Sequence, residues 1–353
     1  MKAVRQNVDN MYGEVVFRRK LARQHVDGET ILPDFCSKQQ TDEILRARIQ
    51  ATTDTMAALK ARGIRLSPFI ELGAERCQRS LAMVNDLDAL GFAVDISFDQ
   101  LRTAKYYSRI FDKPKLPYRV CCDVNHLPFK QASIPFIFCY EFLHHFPSPA
   151  PVVHDIFQIL SEGYFFFDEE PCRRPRIPLY TQKSKVYSAQ YQKKNPVLRF
   201  LESFISEEHC DEREHGIIEN HDISLDDWVH ALSAFDDREI TVSSLRGRFR
   251  ARLGTRVGLR NLPNVLFGGN LRALCKKERK VFTPAAADAL SLLTCPECRL
   301  RSASGLVGAE PSLVTDSNQL RCEACGTAFP IIDGVMLILP KKLQAKLYPE
   351  FCQ

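Results

Sequence analysis

Short apolar runs alternate with longer amphipathic stretches between residues 65 and 175. The runs have the length of buried strands, and the stretches between them have the period of helices that cover a sheet. We predict strands at 68–72, 91–96, 118–122, 134–140 and 164–168, and helices at 78–89, 98–110 and 152–160. This alternation is typical of a parallel sheet with helices on both faces, so the predicted fold class is α/β with a doubly wound sheet.

The residues that close the predicted strands are the candidates for ligand binding, because ligands of such sheets lie outside the carboxyl ends of the strands. Gly73 follows the first strand and permits a sharp turn. Asp95 lies 22 positions later, near the spacing at which an acidic residue binds ribose hydroxyls. Further candidates follow the third and fourth strands: Asp123, Val124, Glu141, His144 and His145.

Four cysteines near the end of the sequence form two CxxC pairs: Cys295 with Cys298, and Cys322 with Cys325. Four thiolates at this spacing fill the tetrahedral coordination shell of zinc, so we predict a structural rather than a catalytic metal. Polar turn residues at 301–304 and 315–318 predict an antiparallel hairpin between the pairs. Residues 328–339 predict two more strands joined by an Asp-Gly turn.

Composition indicates a globular protein but does not identify its binding partner. The chain has 353 residues, of which 45% are hydrophobic, so it can bury a large core. A formal charge of +5 is too small to indicate nucleic-acid binding by itself. The sequence has neither a secretory signal nor a run of 18 apolar residues, so we expect no membrane span and a cytoplasmic location. Most of the other cysteines are then expected to be small buried side chains.

The strand ends, taken in order, are similar to those of class I S-adenosylmethionine (SAM) methyltransferases, in the "type 11"-like small-molecule branch. The similarity is carried by Glu71-Leu72-Gly73, Val94-Asp95-Ile96-Ser97, residues 123–129, 143–146 and 159–163, and more loosely by a final strand at 267–274. The four cysteines and the Pro330-Ile-Ile-Asp-Gly-Val335 turn resemble a methyltransferase-associated zinc ribbon.

The resemblance implies a Rossmann-like sheet with a small C-terminal zinc-ribbon β module, with SAM as cofactor and Zn²⁺ as structural metal. It implies that Glu71 and Gly73 border the methionine moiety, Asp95 holds the ribose, and Asp123 with Val124 flanks the adenine. Ile96 and Glu141 would also line the cofactor site. The sequence departs from the family pattern at Glu75-Arg76-Cys77, where a second glycine is usual.

The predicted organisation has five parts. They are an N-terminal helical extension at 1–64, a methyltransferase domain at 65–279 with a lid or substrate insertion at 176–235, a linker at 280–290, a zinc ribbon at 291–340 and a tail at 341–353. Within the extension, residues 41–62 have the pattern of one or two helices that would lie over the cofactor.

His144 and His145 are the predicted catalytic residues, since imidazole titrates near neutral pH and one of them would serve as base. Packing in the sheet and capping of the loop are the alternative roles. Residues 168–170 form a second acidic candidate, with a solvated loop as the alternative. Basic and aromatic residues at 172–194 and arginines at 243–260 would bind an anion or line exposed faces. We interpret His215, Glu219, His221 and Asp222 as loop residues before a helix capped by Ser224.

Three functions remain open from the sequence. The first is SAM-dependent methylation of an oxygen or nitrogen on a small-molecule or glycan-type acceptor. The second is methylation of RNA or protein, with the zinc ribbon as docking module. The third is a catalytically silent scaffold, which the bulky residues at 75–77 would favour.

Overall fold

The computed structural model describes residues 8–29, 31, 37–172, 183–184, 194–198, 207–208, 217–220, 222–244, 249–253, 269–278, 288–302 and 310–352. Two helices precede the sheet, α1 (Val8–Asp27) and α2 (Lys38–Ala61). The Ser37 hydroxyl accepts a hydrogen bond from the Gln40 amide, and the Gln40 side chain accepts one from the Ser37 amide. This capping box fixes the start of α2. Among the described helices, none has the length and apolarity needed to cross a bilayer.

Five parallel strands form the centre of the sheet, and they confirm the five predicted strands. They are β1 (Phe69–Leu72), β2 (Gly91–Asp95), β3 (Tyr118–Cys121), β4 (Ile134–Tyr140) and β5 (Leu160–Cys172), in the spatial order β3-β2-β1-β4-β5. The connecting helices are α3 (Gln78–Asp86), α4 (Phe98–Arg102), α5 (Ala104–Ile110) and α6 (Pro149–Ile159). The predicted helix at 98–110 is therefore two helices that meet at Thr103.

Three antiparallel strands continue the sheet beyond β5. After the two-residue strands β6 (Lys183–Ser184) and β7 (Glu207–Glu208), helix α7 (Leu225–Ala231) begins at the predicted cap, Ser224. Strands β8 (Asp237–Ser244), β9 (Phe249–Leu253) and β10 (Gly269–Lys277) follow, in the order β5-β10-β8-β9. The predicted strand at 267–274 is thus confirmed as β10. Arg250 and Arg252 lie in β9, the last strand of the sheet.

Several predicted features fall wholly or partly outside the described residues. These are most of the insertion at 176–235, most of the linker at 280–290, the basic residues between 173 and 193, His215, His221 and the arginines at 246, 248, 256 and 260.

The described C-terminal residues form two short helices and four strands. They are α8 (Pro296–Ser302), β11 (Leu313–Asp316), β12 (Gln319–Cys322), β13 (Ala328–Ile332) and β14 (Val335–Leu337), followed by α9 (Lys341–Leu347). The hairpin around 315–318 and the Asp333-Gly334 turn have the predicted antiparallel partners. The turn predicted at 301–304 is wrong at Arg301 and Ser302, which lie in α8, a helix that starts favourably at Pro296.

The zinc ribbon continues the central sheet. Strand β14 pairs in parallel with β3, with Val335 opposite Arg119, and twelve strands of the described residues belong to this sheet. Phe129 and Leu293 form a further backbone bridge, and both belong to the apolar core that also contains Leu320. Pairing with β14 covers the β3 edge that would otherwise be open to other chains. The ribbon is therefore built into the fold of the larger domain.

Gly163 in β5 lies where two backbones approach closely. A Cβ atom at this position would lie 1.9 Å from the Pro135 carbonyl oxygen, a group that cannot move aside as a side chain can. We expect Gly163→Ala to lower the free energy of unfolding by more than about 2 kcal/mol. Gly63→Ala is the matched control, because that site is open and only its φ of +82° is unfavourable, at a cost of roughly 1–2 kcal/mol. Urea denaturation measures both, and equal losses would contradict the steric account.

Candidate functional site

The candidate site lies at the carboxyl edge of β1, β2, β3 and β4. The strand order reverses between β1 and β4, so this edge opens at the topological switch point of the sheet. At the end of β2, the Asp95 carboxylate accepts hydrogen bonds from the Glu75 and Ser97 amides, both at 2.8 Å. Burial raises the pKa of Asp95 to about 6, and these two bonds partly offset the effect of burial.

Glu71 is buried in β1 and faces the start of α3. One of its carboxylate oxygens accepts hydrogen bonds from both the amide and the hydroxyl of Ser80. Burial raises the pKa of Glu71 to about 8, since the surrounding core stabilises the neutral acid. The side chain therefore joins the first strand to the helix that follows it.

We expect Glu71→Gln to change the pH dependence of stability. Folding raises the pKa of Glu71 from 4.5 to about 8, so the folded chain binds more protons in this window and the free energy of unfolding falls as pH rises. Glutamine has no such titration, and its amide oxygen still accepts bonds from Ser80. The variant should lose less stability between pH 5 and pH 8, with a difference in slope of up to roughly 1.4 kcal/mol per pH unit.

Urea unfolding at several pH values measures these slopes. Exposed Glu162→Gln is the matched control. Parallel slopes for the wild type and Glu71→Gln would contradict the assignment of a raised pKa to Glu71.

The loop after β1 holds residues in conformations that favour glycine. Gly73 has a φ of +66°, and the ring of Phe142 lies where a side chain at Gly73 would stand. Glu75 and Cys77 also have positive φ values, 44° and 62°. The loop therefore adopts the turn of a glycine-rich loop with bulkier residues, at a cost of roughly 1–3 kcal/mol for each strained position.

Arginines from the N-terminal helices and from the loop itself surround Glu75. Arg18 of α1 donates to the Glu75 carboxylate at 2.6 Å, and Arg48 of α2 lies 3.6 Å from it. Although burial alone would raise the pKa of Glu75, Arg18, Arg76 and Arg48 lower it to about 2. The predicted placement of N-terminal helices over this edge is consistent with these contacts. The negative charge of Glu75, which stands where the family pattern has a glycine, is thus paired with arginines of the same chain.

Asp123 begins the short 3-10 turn Val124–His126. Its carboxylate accepts hydrogen bonds from the Asn125 amide at 2.9 Å and the Asn125 side chain at 2.8 Å, and it lies 2.6 Å from His126 Nδ1. Val124 is buried beside it. The Asp123 side chain is thus engaged by its own turn, in a pattern that orders the loop after β3.

The backbone carbonyl of Ile96 accepts a hydrogen bond from a residue of the C-terminal segment. The Tyr348 hydroxyl donates to the Ile96 carbonyl at 2.6 Å and accepts from the Phe98 amide at 2.9 Å. Tyr348 is fully buried. Residues 341–353, predicted as a tail, therefore include a helix and an aromatic residue that fix the loop after β2.

His144 and Glu170 form a buried pair beyond β4. Glu170 is 0% exposed, and its carboxylate accepts hydrogen bonds from the Phe142, Leu143 and His144 amides. His144 Nδ1 lies 3.0 Å from the same carboxylate. Burial would lower the pKa of His144, but hydrogen bonds with Glu170 and Glu219 raise it to about 10. This environment keeps the ring protonated and does not favour the base role predicted for His144.

His145 lies against residues 217–220. Its Nδ1 atom is 3.0 Å from the Ile218 carbonyl oxygen and 3.3 Å from the Glu219 carboxylate. The Asn220 amide donates to the His144 carbonyl at 2.8 Å and fixes this segment on the turn. Glu219 lies in the predicted loop before the helix capped by Ser224, and it is only 5% exposed. A base role for His145 stays a prediction.

The edge of the sheet brings together most of the predicted site residues. Glu71 and Asp95 lie in the last residues of β1 and β2, and Gly73 and Ile96 directly follow these strands. After β4 come Glu141, His144 and His145. Glu141 donates its amide to the Asp168 carbonyl and pairs through its carboxylate with Arg48 at 2.6 Å. Sequence reasoning missed the participation of Arg18, Arg48, Glu219 and Tyr348. The only sequence signal among them was the density of ionisable residues around Glu219.

The four C-terminal cysteines have the geometry of a zinc site. The Sγ atoms of Cys295 and Cys325 are 3.7 Å apart, as are those of Cys298 and Cys322. In a tetrahedral site with Zn–S bonds of about 2.3 Å, neighbouring sulfurs lie about 3.8 Å apart. All four sulfurs lie within 4.8 Å of one another, so the residues fit a structural zinc ion.

The comparison with protein families agrees with this geometry. Residues 71–167 match the family model of a methyltransferase domain. The chain carries a SAM-dependent methyltransferase domain. Residues 288–334 of the same chain match the model of a Trm112p-like protein, which confirms the predicted class of zinc ribbon beside the methyltransferase domain. No curated protein sequence matches the chain.

Solved structures similar to this methyltransferase include three with informative descriptions. A SAM-dependent methyltransferase of Thermotoga maritima, described as a possible histamine N-methyltransferase, shares 9% identity, with 77% of this chain and 100% of that chain covered and a TM-score of 0.40. A complex of the Haloferax volcanii Trm112 activator with a methyltransferase shares 14% identity, with 68% of this chain and 94% of that chain covered and a TM-score of 0.39. Phosphoethanolamine N-methyltransferase 2 of Haemonchus contortus shares 12% identity, with 64% of this chain and 52% of that chain covered and a TM-score of 0.41.

Proposed function

We propose that this chain transfers the methyl group of SAM to an oxygen or nitrogen atom of a small-molecule or glycan-type metabolite. The buried polar group beyond β4 carries the proposal, because His144 and His145 contact Glu219 of the segment 217–220 beside the cofactor edge. Buried polar side chains of this kind suit an acceptor that enters a site better than one that lies across a surface.

Four parts of the edge would hold the cofactor. Each Asp95 oxygen accepts a single hydrogen bond from a backbone amide and has a further lone pair for a ribose hydroxyl. Glu71 and Gly73 would border the methionine moiety, and Val124 would flank the adenine, with Asp123 holding its turn. Bound SAM supplies an electrophilic methyl group on a positively charged sulfur. Ile96 and Glu141 would complete the lining.

The acceptor would be oriented beyond β4. Phe142 lies against Gly73, and the two histidines follow it in the same turn. His145 would accept a proton from the acceptor, provided that the acceptor atom comes within hydrogen-bond distance. Glu170 would hold the turn that carries both histidines, through three amide bonds.

Calorimetric titration of the zinc-loaded chain with SAM and with its demethylated product tests the cofactor part of the proposal. Both ligands should bind at a single class of site. Transfer of labelled methyl from SAM into fractionated small-molecule extracts then tests the acceptor part. If neither ligand binds, the chain is better described as a methyltransferase-like scaffold.

Methylation of RNA or protein is the second candidate, and the Trm112p-like domain favours it as a docking module. The arrangement of the ribbon weighs against it, since β14 pairs with β3 of the same chain. RNA binding through phosphate contacts should weaken steeply as salt rises. An RNA affinity that falls in this way, together with labelled methyl in RNA, would replace the small-molecule acceptor.

A further inference from the structure

Three side chains from two distant parts of the sequence converge beside the cofactor edge. His144 Nε2 lies 3.3 Å from one Glu219 oxygen, and His145 Nδ1 lies 3.3 Å from the other. The ligand atoms of all three side chains lie within 4.8 Å of one another. His144 and Glu219 are buried, and the side chain of His145 is 14% exposed. This group, the His-His-Glu cluster, is separate from the four cysteines.

The spacing of the cluster fits a metal ion. In a tetrahedral zinc site with bonds of about 2.0–2.1 Å to nitrogen and oxygen, neighbouring ligand atoms lie about 3.3 Å apart. The two imidazole-to-carboxylate distances have this value. The rings of His144 and His145 are tilted by 34° with centroids 4.4 Å apart, and one nitrogen of each ring lies 3.3 Å from Glu219. Two of the three ligand pairs therefore already have the separation of a tetrahedral metal site.

Glu170 supplies the outer support that metal-binding histidines usually have. Its buried carboxylate lies 3.0 Å from His144 Nδ1, on the opposite side of the ring from Glu219. A carboxylate in this position fixes the ring and directs Nε2 toward an ion. Three backbone amides in turn hold Glu170. The Asn220 amide, bonded to the His144 carbonyl, holds the segment that carries Glu219.

We propose that the His-His-Glu cluster binds a divalent transition-metal ion in addition to the zinc of the ribbon. Two imidazoles and one carboxylate favour ions such as Zn²⁺, Fe²⁺ or Mn²⁺ over Mg²⁺, which prefers oxygen ligands and bound water. The ion would replace the hydrogen that the present contacts place between His144 and Glu219. The Glu219 carboxylate that now contacts both histidines would thus also attract the positively charged ion.

The site also narrows the acceptor class, and this step rests on the proposed function. An ion beside the methyl donor would bind a hydroxyl oxygen of the acceptor and make that hydroxyl more acidic. With His145 bound to the ion, the hydroxyl proton would leave to water instead of to His145. The oxygen would then bond to the methyl carbon as the carbon–sulfur bond of SAM breaks, which leaves the neutral demethylated product. The acceptor would then be an oxygen nucleophile rather than an ammonium, since a protonated amine has no lone pair for the ion. We therefore infer a hydroxylated acceptor and O-methylation.

Titration of the full chain, loaded with one zinc ion per chain, with Co²⁺ tests the site directly. A second ion per chain should bind, with visible d–d absorption and without the near-ultraviolet absorption of cobalt thiolates. If cobalt exchanged into the ribbon, the near-ultraviolet absorption of cobalt thiolates would appear. The absorption spectrum therefore distinguishes the two sites. Calorimetry gives the affinity, and SAM binding is measured on the same samples.

His145→Ala and Glu219→Gln are the test variants, and His154→Ala, an exposed histidine on α6, is the matched control. Loss of a ligand should weaken Co²⁺ binding by more than the roughly 10–100-fold typical of outer-support residues, while SAM binding and the melting temperature change little. Glu170→Gln should fall within that 10–100-fold range.

Absence of a second ion in the wild type, or unchanged affinity in both variants, would overturn the proposal and leave the cluster as a hydrogen-bonded network. Cobalt binding without SAM binding would uphold the metal site and count against the proposed methyl transfer.

Discussion

Cys322→Ser is expected to destabilise the whole chain, and SAM binding should be lost together with the ribbon. Cys322 ends β12, is 1% exposed and lies 3.7 Å from Cys298 through its sulfur. Zinc binding supplies about 10–16 kcal/mol to small zinc-dependent domains, which is comparable with the total stability of most proteins. We expect the melting temperature to fall by on the order of 10 °C or more.

The reason for a global effect is the number of bonds that join the ribbon to the larger domain. Arg119 of β3 donates to the Asp333 carbonyl at 2.9 Å. Arg299 of α8 donates to the Leu127 and Phe129 carbonyls, both at 2.7 Å. Together with the pairing of β14 and β3, these contacts make the ribbon one edge of the central sheet. Loss of zinc therefore exposes the edge strand that leads to Asp123 in the candidate site.

Scanning calorimetry of Cys322→Ser, and of the wild type after chelation, measures the effect. Exposed Cys352→Ser is the matched control and should melt like the wild type. A curve in which the ribbon is lost but the main transition and SAM binding stay in place would show that the ribbon is an independent module.

The strand ends of the larger domain could be predicted from sequence because their signals are local. Five apolar runs, a glycine after β1 and an acidic residue at the end of β2 are each recognisable within a few positions, and all five strands lie where they were predicted. The four cysteines are similarly local, since each pair occupies a single turn. The glycine-like conformations of Glu75 and Cys77 show that the loop keeps its shape when the usual residue is replaced.

The contacts that complete the site could not be predicted, because they join residues far apart in the sequence. Glu219 reaches His144 across 75 positions, and Tyr348 reaches Ile96 across 252. Such pairings depend on the path of the whole chain, for which hydrophobic periodicity has no signal. The parallel pairing of β14 with β3 could not be predicted either, because nothing in the sequence of a short apolar strand indicates which strand it pairs with.

Asp95→Ala is expected to weaken SAM binding by 100-fold or more. The Asp95 carboxylate has two tasks in the proposed site: it holds the Glu75 and Ser97 amides, and it would accept hydrogen bonds from the ribose. Hydrogen bonds to a charged group contribute about 1.5–3 kcal/mol each, so loss of two with the cofactor corresponds to roughly 100-fold or more. Alanine also frees the Glu75 amide and the loop that would border the methionine moiety.

Comparison with Asp95→Asn separates the two tasks. The asparagine oxygen can still accept one amide bond and keep the loop in place, but the side chain is neutral and has a single acceptor oxygen. We therefore expect Asp95→Asn to fold like the wild type and to bind SAM more weakly than the wild type but more tightly than Asp95→Ala. Asp54→Ala on the exposed face of α2 is the control. Calorimetry on all four proteins gives the order of affinities, and equal affinity in wild type and both Asp95 variants would place the ribose elsewhere.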